Sequence, residues 1–242
     1  MFVQPLHTWA AALNKDRSDP KVGRPGAMAK LAAQYLIDML LSPPMTHAVF
    51  FRESAGRGGS DASGGVGSAV LGGWWHPDAV LEDDPVQWEC TWFSLTLEKE
   101  HFPWVFERAN DASRVIASLE LLGAVILMRM AHQANATVPI HIRAVNDNQG
   151  DVFAVMRAYS KTAPASLVHM ELVATSRATG TFPALTNVPR ERNVWADALT
   201  NHKVEGFDPA KRWEPDITTG FFHVLDKLTT AMKGKTEQVE VV

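Results

Sequence analysis

The stretch Ser113–Asn148, SRVIASLELLGAVILMRMAHQANATVPIHIRAVNDN, decides the architecture. Within Ser113–Ala131, the apolar residues Val115, Ile116, Leu119, Leu121, Leu122, Val125, Ile126, Leu127 and Met128 cover nearly the whole circumference of a helix. That distribution predicts a helix buried on most sides. Val138–Val145 then reads as a strand, stopped by the turn-forming run Asn146-Asp147-Asn148. A buried helix followed directly by a strand needs a sheet to cover it, and the flanking sequence supplies one.

Upstream, His47–Phe51 is a short apolar run and the expected first strand. Gly56–Gly67, rich in glycine and serine, reads as a flexible linker. It lacks the lysine and hydroxyl that end a phosphate-binding loop. Ala69–Trp75 is the second expected strand. Gln87–Leu97, which carries Trp88, Cys90, Trp92, Phe93, Leu95 and Leu97, is the third, and closes an antiparallel meander. Trp74 and Trp75 face opposite ways if extended, with packing as their simplest role.

The opening segment differs in composition. Asn14–Gly26 is turn-rich, and Ala29–Leu41 forms one helix with an apolar face of Leu31, Ala32, Tyr35, Leu36, Met39 and Leu40, halted by Pro43-Pro44. Downstream come two helices, Asp151–Tyr159 and Ala165–Arg177, the second closed by Gly180. A fifth strand follows over Phe182–Val188, then a helix from Val194 with Asn193 as its cap, a helix near Phe221–Met232 and a polar tail. The whole is a mixed α/β sheet of five strands, the last two reached by helical crossovers and parallel to the first. Three parts are expected: a helical segment over 1–45, the sheet domain over 46–205 and a helical extension over 206–242.

Of the 242 residues 46% are hydrophobic and 21% charged, enough apolar surface for a folded core. The net charge of -4 argues against a purely electrostatic nucleic-acid binder, but not against an enzyme whose carboxylates hold cations. Cys90 stands alone, so an intrachain disulfide or cysteine-based zinc cluster is excluded, and a reducing, intracellular setting is the expectation. No run reaches the roughly 18 consecutive apolar residues of a membrane span, and the N-terminus shows no secretory pattern, so no membrane partner is expected. The nine histidines contain no His-Glu-x-x-His spacing, so no zinc site is expected. His169 reads as a surface or packing residue.

Three carboxylates do not fit packing alone. Glu120 lies in the most apolar helix, where an unpaired charge would cost several kcal/mol if buried. Arg114 and Arg129 lie outside the i, i+3 or i, i+4 spacing of a same-helix partner. Asp147 follows a strand at the edge where parallel sheets bind ligands, although a turn aspartate has the same spacing. Asp197 stands in a helix's first turn, where the helix dipole already favours it. Brought together on adjacent elements, three carboxylates can hold hard divalent cations such as Mg²⁺. Two such ions about 4 Å apart clamp the oxygens of a phosphodiester.

Three local motifs resemble a known family: Ile116-Ala117-Ser118-Leu119-Glu120-Leu121-Leu122, Asn146-Asp147-Asn148-Gln149-Gly150, and Val188-Pro189-Arg190-Glu191-Arg192-Asn193-Val194-Trp195-Ala196-Asp197-Ala198-Leu199-Thr200. Their order is similar to that of the ribonuclease H domain that follows reverse transcriptase in retroelement polyproteins. The resemblance covers about residues 46–205, and the opening segment resembles the end of a polymerase-to-nuclease connection. It implies a ribonuclease H-like fold and hydrolysis of the RNA strand of RNA–DNA hybrids by two Mg²⁺ or Mn²⁺ ions on Glu120, Asp147 and Asp197. It also implies an RNA–DNA hybrid as partner and a reverse transcriptase domain as neighbour; the candidate contacts are Asn148, Gln149, Arg190, Arg192 and Asn193, although a solvated charged surface accounts equally well for Arg190 and Arg192.

One departure stands out. The family carries an aspartate on its first strand, and if that strand is Val49–Ala55, Ser54 occupies the catalytic position. Glu53 would point away, and Asp61 falls in the expected linker. Loss of that carboxylate would weaken metal binding and catalysis. Two readings therefore stand side by side: a metal-dependent nuclease, and an inactive nucleic-acid-binding or scaffolding domain on the same fold. An integrase-type nuclease shares the acidic layout but takes its glutamate from a late helix.

Overall fold

A computed structural model describes residues 27–41, 56–77, 86–134, 141–150, 163–218, 220–227 and 229–230. The expected strand His47–Phe51, Ser54 and the expected helix Asp151–Tyr159 lie outside the described residues. The elements, in chain order, are α1 (Ala27–Leu41), β1 (Arg57–Gly65), β2 (Ser68–His76), β3 (Thr91–Thr96), α2 (Ile116–Ala134), β4 (His141–Asn146), α3 (Ala165–Thr179), β5 (Phe182–Asn187) and α4 (Val194–Thr200).

The five strands form one sheet in the order β3-β2-β1-β4-β5. β1, β2 and β3 are an antiparallel meander, whereas β4 pairs with β1, and β5 with β4, in parallel. The mixed sheet is as the sequence predicts. The identity of its central strand is not. The Gly56–Gly67 stretch, expected as a linker, is β1 itself and lies in the middle of the sheet.

Close packing explains why such a glycine-rich segment is a strand. A Cβ on Gly58 would come within 2.7 Å of the Trp74 carbonyl oxygen, and one on Gly59 within 2.9 Å of both Trp74 Nε1 and Val145 Cγ2. On α2, a Cβ added at Gly123 would sit 3.4 Å from that of Ser60. Small residues let a helix and neighbouring strands crowd this strand, and burial of the neighbours replaces the stability β1's own side chains lack. The two-residue link Val66-Gly67, with Gly67 at φ +69°, closes the β1–β2 hairpin between the paired residues Gly65 and Ser68.

The expected third strand also starts later. Gln87–Glu89 is a 3₁₀ turn and the strand begins at Thr91. Cys90 is buried, as expected for a core residue. α2 is the core helix: Leu119, Leu121, Leu122, Val125, Ile126, Leu127 and Met128 are all at most 1% exposed. Its N-terminus is preceded by the 3₁₀ turn Ala112–Val115, where Asp111 accepts from the backbone N–H (3.1 Å) and hydroxyl (2.6 Å) of Ser113. By length and apolarity Ala112–Ala134 would suffice to cross a membrane, but most of it is buried within the protein, which is what a core helix requires.

α3 ends as its sequence predicts, on Gly180 at φ +68°. It also carries a fully buried carboxylate. Glu171 pairs with Arg129 of α2 (3.1 Å) and accepts from the backbone N–H groups of His223 (3.0 Å), Val224 (2.6 Å) and Leu225 (3.2 Å). Arg129 in turn lies 4.5 Å from the Phe221 ring centre. This hub fastens the segment His223–Leu225 to α2 and α3. Arg129 thus serves Glu171, while Arg114 reaches Asp111 at 3.5 Å.

α4 rests on β2. A Cβ on Gly72 would meet Thr200 N at 2.7 Å and Ala196 O at 2.8 Å, so helix and strand backbones touch. Ser94 of β3 donates to the Leu199 carbonyl at 2.7 Å and secures the same helix.

Candidate metal centre

Register alone brings two acidic groups level. In the parallel β1–β4 pair Gly59 lies opposite Val145, so two residues further on Asp61 comes level with Asp147, just past the end of β4. Glu120 reaches the same place from the second turn of α2. Ligand oxygens of Asp61, Glu120 and Asp147 all lie within 4.8 Å of one another.

Polar contacts hold this arrangement. Asn146 is fully buried, and its Oδ1 accepts from the Asn148 backbone N–H at 2.7 Å, shaping the turn that presents Asp147. The Asn148 side chain donates to Glu120 Oε2 and accepts from Gly150 N at 2.8 Å. Glu120 is thus half-buried and held from outside its helix.

The electrostatics favour a cation. Asp61 is 6% exposed, and its carboxyl is pushed up to about 7, first by burial and then by the charges of Asp147, Glu120 and Asp197. Asp147 Oδ1 is buried with no hydrogen-bond partner. An orphaned carboxylate oxygen among crowded like charges, with only hard oxygen donors around it, fits a divalent ion such as Mg²⁺ or Mn²⁺.

The other expected site residues divide sharply. Asp197, in the first turn of α4, is outside the 4.8 Å cluster, although its charge reaches Asp61. It pairs with Arg190 at 2.9 Å, and Arg190 is largely exposed. Gln149 and Arg192 are exposed, Gln149 beside the acidic turn and Arg192 on a neighbouring cavity. Asn193 departs from both of its expected roles. Its side chain makes no cap to α4 and is 1% exposed, and Nδ2 donates to the Ser60 carbonyl at 3.1 Å. It ties β1 to the start of α4 and presents no edge to a substrate. Ser54 lies outside the described residues, and β1 begins beyond it.

Asp61 lies on β1, in the stretch whose glycine- and serine-rich composition predicts a linker. The signal that could have found it is the Val66-Gly67 pair, a two-residue link ending in glycine just before a clear strand.

Three antiparallel strands followed by two parallel ones, in the order β3-β2-β1-β4-β5 with helical crossovers, constitute a ribonuclease H-like fold. The chain is similar to ribonuclease H1 from the halophilic archaeon Halobacterium salinarum, with 16% identity and a TM-score of 0.41 over 62% of this chain and 96% of that one. It is also similar to a ribonuclease H1 isolated from compost by metagenomics (13% identity, TM-score 0.41, 63% and 96% covered). A third likeness is to the N-terminal ribonuclease H domain of a Mycobacterium tuberculosis protein (17% identity, TM-score 0.39, 61% and 92% covered). No protein-family model matches the sequence, and no curated protein matches it significantly.

Proposed function

We propose that the protein is a metal-dependent nuclease that hydrolyses the RNA strand of RNA–DNA hybrids. The observation that carries this reading is the convergence of Asp61, Glu120 and Asp147 within 4.8 Å on three separate elements of this fold. Asp61, on β1, would then supply the first-strand carboxylate whose loss is the expectation at Ser54. That favours the active reading over the inactive scaffold.

Asp61, Glu120 and Asp147 would hold the ions, with Asp197 at the margin. Bound divalent ions would lower the pKa of an attacking water and neutralise charge on the phosphodiester. The protein supplies position. β1 and β4 fix two carboxylates in register, and Asn148 restrains the third through its hydrogen bond to Glu120. Arg190 holds Asp197 at 2.9 Å, away from a free swing into solvent. Discrimination for RNA would rest on contacts to 2′-hydroxyl groups across the hybrid's minor groove. The motifs around Glu120, Asp147 and Asp197 support a retroelement origin and a reverse-transcriptase neighbour for this nuclease.

The test is incubation of the full chain with an end-labelled RNA–DNA hybrid and Mg²⁺ or Mn²⁺. Cleavage of the RNA strand that disappears in Asp147→Asn supports the reading. An uncut hybrid with folded wild-type protein and either ion overturns it.

A further inference from the structure

Beside the carboxylates lies a cavity of about 410 Å³ lined by Arg57, Trp74, Val145, Glu191, Arg192, Val194 and Trp195. Its volume falls in the range of small-ligand pockets. None of the three clustered carboxylates lines it.

The walls are chemically mixed in a particular way. Trp74 and Trp195 meet edge to face, with ring centres 4.9 Å apart and planes at 69°. Trp195 also packs against Phe207 at 6.3 Å, which fixes its indole from behind. Gly59 contributes to the construction as well, because any side chain there would collide with the Trp74 indole. Around these rings stand two guanidinium groups, Arg57 and Arg192, and one carboxylate, Glu191. The partly exposed Trp195 indole beside cationic donors suits a stacked base and its phosphate, and a carboxylate suits the amino edge of a base.

The position relative to the carboxylates sharpens the assignment. Val145 precedes Asp147 by two residues and Arg57 precedes Asp61 by four along parallel strands. At about 3.3 Å per residue these offsets are about 7 and 13 Å, or two to four stacked-nucleotide rises. Within a duplex both faces of every base are already covered by neighbours, so a paired base has no face left to stack on these rings. A nucleotide swung out of the stack has one.

We propose that this cavity is a subsite for one unpaired nucleotide of the nucleic-acid substrate, its base against Trp195 and Trp74 and its phosphate on Arg57 and Arg192. The inference rests on the nuclease reading above and deepens it: the enzyme would prefer hybrids with an unpaired nucleotide a few positions from the cut. Glu191 would accept from an exocyclic amino group, which favours a guanine, adenine or cytosine base over uracil or thymine.

The experiment uses the cleavage-deficient Asp147→Asn full chain with chelator present, so binding is read without hydrolysis. Fluorescence anisotropy compares a fully paired RNA–DNA hybrid with the same hybrid carrying one bulged nucleotide. The bulged hybrid should bind about tenfold more tightly, a typical gain for one stacked base. Arg192→Glu and Val194→Asp, both at exposed positions, should erase that difference. Equal affinity for the two hybrids, or a preference that persists in both variants, overturns the subsite. Wild-type cleavage of the fully paired hybrid under those outcomes would leave the nuclease reading standing. Absence of cleavage with a retained bulge preference would remove the nuclease reading alone.

Discussion

Replacing Asp61 by asparagine should stabilise the metal-free protein and abolish its response to metal. In the folded chain this carboxyl is pushed from 3.8 to about 7 by burial and by its acidic neighbours. A raised folded pKa means that the native state holds the proton more tightly than the unfolded chain does. Stability from this group is therefore full below pH 4 and lost as pH rises to about 7. At 1.36 kcal/mol per pH unit the gap corresponds to about 4 kcal/mol, and screening by water in the cleft reduces it to roughly 2 kcal/mol. For a chain of this size roughly 2 kcal/mol is about 4–8 °C in Tm. Calorimetry of wild type and Asp61→Asn in chelator at pH 7.5 should show the variant melting higher by that amount, with the difference vanishing near pH 4. Added Mg²⁺ or Mn²⁺ should raise the wild-type Tm through selective binding to the native state, and leave the variant nearly unmoved. A variant that melts lower than wild type at pH 7.5 without metal, or shows the same metal-induced rise, would refute the placement of Asp61 in a cation site.

Other consequences follow from contacts elsewhere. Glu171→Ala leaves Arg129 and three backbone N–H groups without their shared acceptor, and urea unfolding should report a loss of about 3–5 kcal/mol. Gly72→Ala drives a methyl group into the α4 backbone and should cost about 1–3 kcal/mol while lowering cleavage through displacement of Asp197. Gly123→Ala meets only ordinary contacts at 3.4 Å and should be neutral or gain up to about 1 kcal/mol from helix propensity. His169 is 1% exposed, and burial pushes its imidazole down to about 4. Its unfolded form takes up a proton first, so stability should fall as pH drops from about 6.5 towards 4, and His169→Leu should flatten that acid limb in pH-resolved melts.

The sequence by itself determined the elements whose signal is local. α2 announces itself by an apolar surface on every side, β2 by its apolar run, α3 by its terminal glycine, and the order of elements fixes which strands run parallel. Glu120 and Asp147 were legible because a charge in an apolar helix and an aspartate after a strand both conflict with their surroundings. Tertiary structure alone decided the centre of the sheet. Arg57–Gly65 has neither β-branched nor aromatic residues, and every local propensity speaks for a loop. It becomes a strand because α2, β2 and β4 crowd it so closely that only glycine, serine and alanine fit around Asp61. The same crowding decided the role of Asn193, which lies buried at the Ser60 carbonyl of that strand and does not cap its helix. Propensity describes what a segment does in isolation, whereas a central strand is specified by the surfaces that close around it.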